Sequence, residues 1–580
     1  MEFLILTKTH QMAQYHLAIE QANQQYIQFK VIFENVAPNA IIHLPKWRPG
    51  RYELGNFAKN VRGFKVFNQE GKTVDFQKVD LSSWEIQVKE PTTIRVEYSY
   101  YASELNAGST YLTKEMLYSN PVNCFIYQDG KKDEACEVHL NIPSDWNIAG
   151  SMEREGNVLR AANFDELADS PFICSASLQY NQYESHGTIF HLWFQGDCIV
   201  DWSRVITDFK AFTEKQIEKF IEFPVPHYHF LFHILPYKAY HGVEHQKSTV
   251  ISLGPTYDVF GVLYKELLGV SSHELYHTWN VKAIRPIEMY PYDYQRENLS
   301  KLGYLCEGVT TYMGDLMLYK SGVFDLSQYL HEFTGQLQKH FDNFGRFHYS
   351  VADSSYDTWL DGYVPGTPGR KVSIYTEGCL LAFVCDVKIR EYSGNKHGLD
   401  ELMKRLYFNF ALAGKGVSEA DYIGLLKELA GESIEELVKD YFYGTRPFEA
   451  ILTEALESIG LELTHKPNQK YSAGRVGFKA MQVGPHFQVA AIYPGSPADM
   501  AGLMLNDEII AVNDFKLVGD IDQWLTYLDN QNKRLTIIRQ GKIMEFPLPE
   551  VQRSFYLEYG IQIIENPNNA QKKAFEYWGK

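Results

Sequence analysis

The spacing of hydrophobic and polar positions changes twice along this chain. In "TTIRVEYSYYA", Ile94, Val96, Tyr98 and Tyr100 fall on one face of an extended segment, and in "CEVHLNIP" Val138, Leu140 and Ile142 do the same. "FKVIFENV" and "WEIQVKE" repeat the pattern. Period two over short runs bounded by Gly, Pro and Asn predicts antiparallel strands. Residues 1–180 are therefore expected to form an amino-terminal β-sandwich-like domain. The period then lengthens. "DFKAFTEKQIEKFIEF" puts Phe209, Phe212, Ile217, Phe220 and Ile221 on one helical stripe. Helical patterns continue to about Leu463, as in "CLLAFVCDVKIREYSG" and "IGLLKELAGESIEELVKDYF". The interval "HYHFLFHILPYKAYHGVEHQKSTVISL" interrupts them and, rich in β-branched and aromatic residues, predicts a small sheet. Residues 181–463 thus read as a mainly helical domain that frames a sheet. Period two returns after "THKPNQKYSAG", giving a third domain over 470–550 and a carboxy-terminal extension over 551–580. The fold class is α+β and multidomain.

Composition narrows the function. A chain of 580 residues, 45% hydrophobic and 22% charged, is ordinary globular material divided into several domains. The formal net charge of -17 argues against a nucleic-acid partner and permits a cationic ligand, such as a free amino terminus. Seven cysteines, odd in number and without a C-x-x-C pair, predict reduced buried thiols rather than a disulfide framework. The start lacks the basic region of a signal peptide, and no stretch has the apolar length of a membrane span. A cytoplasmic protein without a membrane partner is expected.

The candidate chemistry lies in "GVSSHELYHTWNVKAIRP". A helix turns about 100° per residue, so His273 and His277 share a face about 6 Å apart and can reach one small cation. Zinc takes nitrogen ligands in tetrahedral geometry, and a catalytic site keeps one position open for water, whose pKa falls to about 7. Glu274, beside the first histidine, can lean toward that water and take its proton. A third ligand is needed. Glu288, Asp293, Glu297, Glu307 and Asp315 are candidates; Glu307 is preferred, because "LGYLCEGVTTYMGDLMLY" is a long helical pattern that follows an apolar run.

Taken together, these motifs resemble the glycyl aminopeptidase family of zinc metallopeptidases, relatives of thermolysin-like aminopeptidases. "LPKWRPGRYELGNFAKNV" resembles a signature of the family's amino-terminal β-domain. "HGVEH" resembles its glycine-glycine-leucine-glutamate-histidine segment, "HELYHTWNVKAIRP" and "CEGVTTYMGD" its zinc helices, and "VSIYTEGCLLAFVCDVKIR" its tyrosine segment. The resemblance implies one Zn2+ per chain held by His273, His277 and Glu307, with Glu274 as general base and proton shuttle. It implies that the hydroxyl of Tyr375 stabilises the oxyanion. It also implies that Glu244, with Gly242 and His245 beside it, holds the substrate's ammonium group. Departures stand at His241 and Val243, and at Arg48 and Arg51, where smaller or less charged residues are common.

"GSPADMAGLMLNDEIIAVND" is a PDZ-like signature, with Gly495 and Pro497 shaping a turn, Ala498 to Gly502 a short helix and Asp507 opening a strand. Val476, Gly477 and Phe478 of "GRVGF" would form the loop whose backbone N–H groups take a peptide carboxylate. The groove would lie between the strand after Phe478 and the helix in "DIDQWLTYLDN". The alternative is a wall that packs on the catalytic domain.

The expected function is a zinc-dependent aminopeptidase acting on the first bond of peptides with a free amino terminus, favouring Gly or Ala as the family name implies. An inert PDZ scaffold and a zinc endopeptidase are the alternatives. Intact metal and base residues oppose the first, and Glu244 separates the second.

Overall fold

The computed structural model describes residues 12–363, 366–484 and 486–580. They divide into two compact units. The first contains the described residues up to Tyr329, with Gly345–Pro447 and Glu576–Lys580; the second contains Leu330–Phe344 and Phe448–Phe575.

The amino-terminal part of the first unit is β-rich. The strands of a seven-stranded sheet are interleaved in sequence with those of two four-stranded sheets. The alternation seen in the sequence becomes alternation of burial. Strand Tyr26–Val36 buries Ile27, Phe29, Val31 and Phe33, and strand Thr92–Tyr101 buries Ile94, Val96, Tyr98 and Tyr100. One expectation changes. Strands Met12–Gln21 and Ala135–Asn141 pair in parallel, with Tyr15 opposite Val138. Parallel partners cannot be joined by a hairpin, and here more than a hundred residues of intervening chain make the return.

Next comes a five-stranded sheet in the order Gln179–Ser185, Thr188–Gln195, His227–Ile234, Ser248–Gly254, Ala239–Glu244. The first strand straddles the expected boundary at 180, and the second lies beyond it. Helix Trp202–Phe220 makes the crossover between parallel strands Thr188–Gln195 and His227–Ile234. It buries Phe209, Phe212, Ile217 and Phe220 as predicted. Ile221 departs from that stripe: it ends the helix at φ +73° and is 63% exposed. Ala239–Glu244 is the sheet's edge strand, antiparallel to Ser248–Gly254.

Three helical segments follow, the first packed on this edge strand, the second on the first and the third on the second. Helix Tyr264–Tyr276 carries the histidine motif. A π-helical turn, Tyr304–Val309, runs straight into helix Thr310–Lys320. Helix Ile374–Ser393 begins at a Ser373 cap, whose Oγ accepts from the Thr376 N–H, and ends at Gly394 with φ +63°.

The second unit holds a sheet ordered Phe478–Val483, His486–Ile492, Glu508–Val512, Arg534–Arg539, Lys542–Pro547, with helices Pro497–Ala501 and Ile521–Tyr527. Phe478, Val489, Ile509, Val512, Leu525, Leu535 and Ile537 are among its buried core. The carboxy-terminal extension is structured: Glu558–Ile563 pairs with Leu461–Lys466. Glu576–Lys580 join the first unit, where Trp578 is fully buried and its Nε1–H donates to Tyr312 Oη at 2.9 Å. All seven cysteines are unpaired; six are buried and Cys198 is half-buried. No helix among the described residues is long and apolar enough to cross a membrane.

Candidate metal centre and active site

His273 lies in the last turn of its helix and His277 caps its end. Their Nε2 atoms are 3.0 Å apart. Glu307 Oε2 is 3.7 Å from His273 Nε2 and 3.4 Å from His277 Nε2. Two ligand atoms about 2.05 Å from a tetrahedral zinc ion lie about 3.3 Å from each other. The three observed separations bracket that value, so the donor set fits zinc. The other candidate carboxylates are not in this cluster: Glu288 and Glu297 are exposed, Asp293 pairs with Arg296 at 2.7 Å, and Asp315 is only half-buried.

Glycines set these distances. At Gly314 a Cβ would press on the backbone of His273, with Cα at 3.1 Å, so the glutamate helix seats directly on the histidine helix. At Gly308 and Gly378 an added Cβ would collide with the opposing backbone. This close approach carries Tyr375 toward Glu307. The π-helical turn adds one residue to the helical repeat at Glu307, a device frequent at functional sites.

Outer partners orient the ligands. The His277 Nδ1–H donates to Asn280 O at 2.7 Å, which leaves Nε2 as the free lone pair. The side-chain amide of Asn280 donates to Leu305 O at 2.8 Å and Thr310 Oγ1 at 3.0 Å, tying the histidine loop to the glutamate helix. Tyr52 Oη donates to Glu307 Oε1 at 2.7 Å, reaching across 255 residues of sequence from the amino-terminal domain. Its ring stays inert as an acid, since burial first and Glu307 second raise its pKa well above normal.

Glu274 is buried and its Oε2 has no hydrogen-bond partner. Gly242 on the edge strand leaves room for it, because a Cβ there would fall on the carboxylate. Burial raises its pKa well above the usual carboxylate range; Glu244 and Glu307 add to this, while His277 and Arg48 oppose it. Glu244, Glu274 and His277 offer ligand-type atoms within 4.8 Å of one another. Glu244 is buried with Oε1 unpartnered. Burial also pushes Glu307 up, but His277 and His273 pull it well below the usual range. Burial lowers His277, and the carboxylates of Glu307, Glu244 and Glu274 raise it above its ordinary value. Three buried acids around two imidazoles create a strong cation-attracting potential.

Tyr375 stacks near His273, with ring centroids 6.3 Å apart, and its Oη is 3.4 Å from Tyr363 Oη. His245 turns one ring nitrogen to Asp169: its Nδ1 is 3.0 Å from Asp169 Oδ1. Lys282, with no exposed side-chain surface, pairs with the same oxygen at 2.8 Å. His245 thus anchors the end of the strand that carries Glu244. Val476 and Phe478 are buried, and Gly477 takes φ +81°; its carbonyl accepts from Tyr493 N–H at 2.8 Å. A Cβ on Gly477 would lie 3.4 Å from the ring of Phe555.

Sequence reasoning did not find Tyr52, Asn280, Asp169, Lys282 or the paired glycines. Asn280 carried a signal, because it follows His277 by three residues; Tyr52 carried none beyond its place in "RYELG".

Comparison with known proteins matches residues 14–176 to the Peptidase M61 N-terminal domain, 266–381 to M61 glycyl aminopeptidase and 488–539 to a PDZ domain. A search of curated proteins finds no match. The crystal structure of an aminopeptidase N family protein from Idiomarina loihiensis is 24% identical, covering 98% of this chain and 100% of that one with a TM-score of 0.91, and it shares the fold. An M1 zinc metallopeptidase from Deinococcus radiodurans is 14% identical over 76% of this chain and 94% of that one, with a TM-score of 0.47. The chain's β-rich domain, its histidine and glutamate helices and its PDZ domain are thus matched in order by the Peptidase M61 N-terminal, M61 glycyl aminopeptidase and PDZ models, and these matches support a metallo-aminopeptidase.

Proposed function

We propose that the protein is a zinc-dependent aminopeptidase that uses one ion per chain, held by His273, His277 and Glu307. The observation that carries this reading is the triangle of ligand atoms at 3.0, 3.4 and 3.7 Å with two further buried acids, Glu274 and Glu244, beside it. Zinc in that triangle would supply Lewis-acid polarisation of a carbonyl and acidify a water molecule. The chain's own groups do the rest. Glu244 takes the substrate's ammonium group and so registers the first peptide bond at the site. Glu274, buried beside the histidines with a free carboxylate oxygen, accepts the proton of the attacking water and passes it to the leaving amine. The Tyr375 hydroxyl donates to the oxyanion as charge develops. Gly242 keeps the edge strand clear of Glu274.

Small first residues, Gly or Ala, are proposed as substrates on the family's name. The PDZ groove is proposed to take an extended peptide beside Phe478–Val483, which is the outermost strand of its sheet. At its loop end the side chain of Ser496 packs against Gly477, with Phe555 beyond it. A cytoplasmic location is proposed on the odd set of unpaired thiols.

A panel of aminoacyl fluorogenic amides tests the proposal. Free amino termini should be cleaved and acetylated ones refused, with activity lost to a chelator and restored by zinc. Glu274→Gln should keep its zinc and lose turnover by about 10²–10⁴-fold. Equal cleavage of acetylated substrates would make the enzyme an endopeptidase; a protein that neither binds zinc nor cleaves any amide would be the inert scaffold.

A further inference from the structure

Arg48 is only 4% exposed, and its Nη1 is buried without a hydrogen-bond partner. No hydrogen bond or ion pair holds its guanidinium among the described residues. Space is nevertheless made for it. Gly108 lies against the guanidinium plane, and a Cβ there would overlap it. A cation taken out of water needs an anion or strong acceptors, and the fold provides the room without providing the partner.

An unsatisfied anion, Glu244, lies against the turn Arg48-Pro49-Gly50. Gly50, at φ +84°, backs onto that carboxylate: a Cβ would sit 2.5 Å from Oε2 and 3.0 Å from Oε1. Glu244 Oε1 is buried and unpartnered as well. The two charges interact electrostatically, yet no ion pair joins them among the described residues. A buried cation and a buried anion, each with a free atom and not bonded together, complement a ligand that carries both charges. Arg48 also lines a cavity of about 210 Å³ with Arg51, Asn60, Ser109, Thr110 and Asn123. Two acids line it too: Glu53 is paired with Arg51, and Glu104 is exposed. The guanidinium of Arg51 sits 4.6 Å over the ring of Tyr363, the neighbour of Tyr375. Arg48 and Arg51 thus connect this cavity to the turn that backs onto Glu244 and to Tyr363.

We infer that Arg48 is a specificity-determining residue that takes the side-chain carboxylate of an acidic first residue, so that peptides beginning with Asp or Glu are preferred to their Asn and Gln counterparts. This rests on the aminopeptidase reading and widens its substrate class beyond Gly and Ala. With the ammonium group on Glu244, an acidic side chain of the same residue supplies the anion that Arg48 lacks. Asn and Gln have the same shape but leave the cation unpaired.

The test compares kcat/KM of zinc-loaded enzyme on Asp, Asn, Glu, Gln and Ala fluorogenic amides. The wild type should favour Asp over Asn, or Glu over Gln, by about 10–100-fold, the range for pairing a desolvated charge. Arg48→Gln should bring both ratios to one or below. Arg48→Lys should retain part of the preference, because the charge survives and the planar fork does not. A general loss of activity cancels in each ratio, so a purely structural role for Arg48 leaves the ratios unmoved and overturns the inference. Cleavage of the Ala amide without acidic preference in the wild type also overturns it and leaves the aminopeptidase intact. Cleavage of none of the amides overturns both.

Discussion

Replacing Tyr52 by Phe removes a single hydroxyl from the metal centre and leaves its shape unchanged. That hydroxyl donates to Glu307 Oε1 at 2.7 Å, and the two residues are 3% and 2% exposed, so bulk water has no easy access to take its place. A hydrogen bond to a charged group contributes about 1.5–3 kcal/mol. At about 1.4 kcal/mol per factor of ten, that is roughly 10–150-fold in an equilibrium constant. The bond supports Glu307 as a carboxylate, the form that ligates metal, and outer partners of ligands typically carry about 10–100-fold in metal affinity. Tyr52→Phe should therefore raise the zinc dissociation constant by about 10–100-fold in a competition with a chromophoric chelator. Urea unfolding of the zinc-free protein serves as the control for a general loss of stability. A variant whose zinc affinity stays within about twofold of wild type would refute the reasoning, because the hydroxyl would then contribute far less than a charge-assisted bond.

Tyr375→Phe should lower kcat by about 10²–10³-fold with unchanged zinc content, read from steady-state kinetics on an Ala amide and metal analysis. Asp169→Asn removes the anionic partner of buried Lys282 and should cost about 3–5 kcal/mol in urea unfolding. Burial pushes the Asp169 carboxyl up, but Lys282 and His245 pull it further down, below its ordinary value. Its stabilisation is therefore fully present above about pH 4 and is lost as pH falls below that toward the folded pKa. The Asn variant should show a shallower acid limb in stability against pH. Gly308→Ala places a methyl inside van der Waals distance of the Gly378 backbone. Overpacking should cost about 1–3 kcal/mol in unfolding and weaken zinc binding by displacing Glu307.

Much of the architecture was legible because burial follows local period. The apolar face of Thr92–Tyr101 and the stripe of Trp202–Phe220 were read residue by residue, and both are buried as read. Ile221 was misassigned because a stripe does not say where a helix stops; its positive φ does. The parallel pairing of Met12–Gln21 with Ala135–Asn141 was hidden because alternation is the same in either direction. Strands at 179–195 were missed because they begin a sheet whose remaining members lie past a long helix.

The sequence by itself determined the spacing of His273, Glu274 and His277. Four residues of one helix span one turn whatever the helix packs against, so two imidazoles and an adjacent acid follow from local geometry. It also determined the order of the β-rich, helical and PDZ segments, since each period is a local property. Only the tertiary structure brings one of the five candidate acids, Glu307, beside the two imidazoles, and it does so by packing glycine-lined helix faces together. It alone placed Tyr52 on Glu307, Asp169 on His245 and Arg48 near Glu244 without a bond between them. Those pairs are separated by tens to hundreds of residues. Their meeting depends on how whole elements pack, and no short-range pattern of polar and apolar positions encodes that.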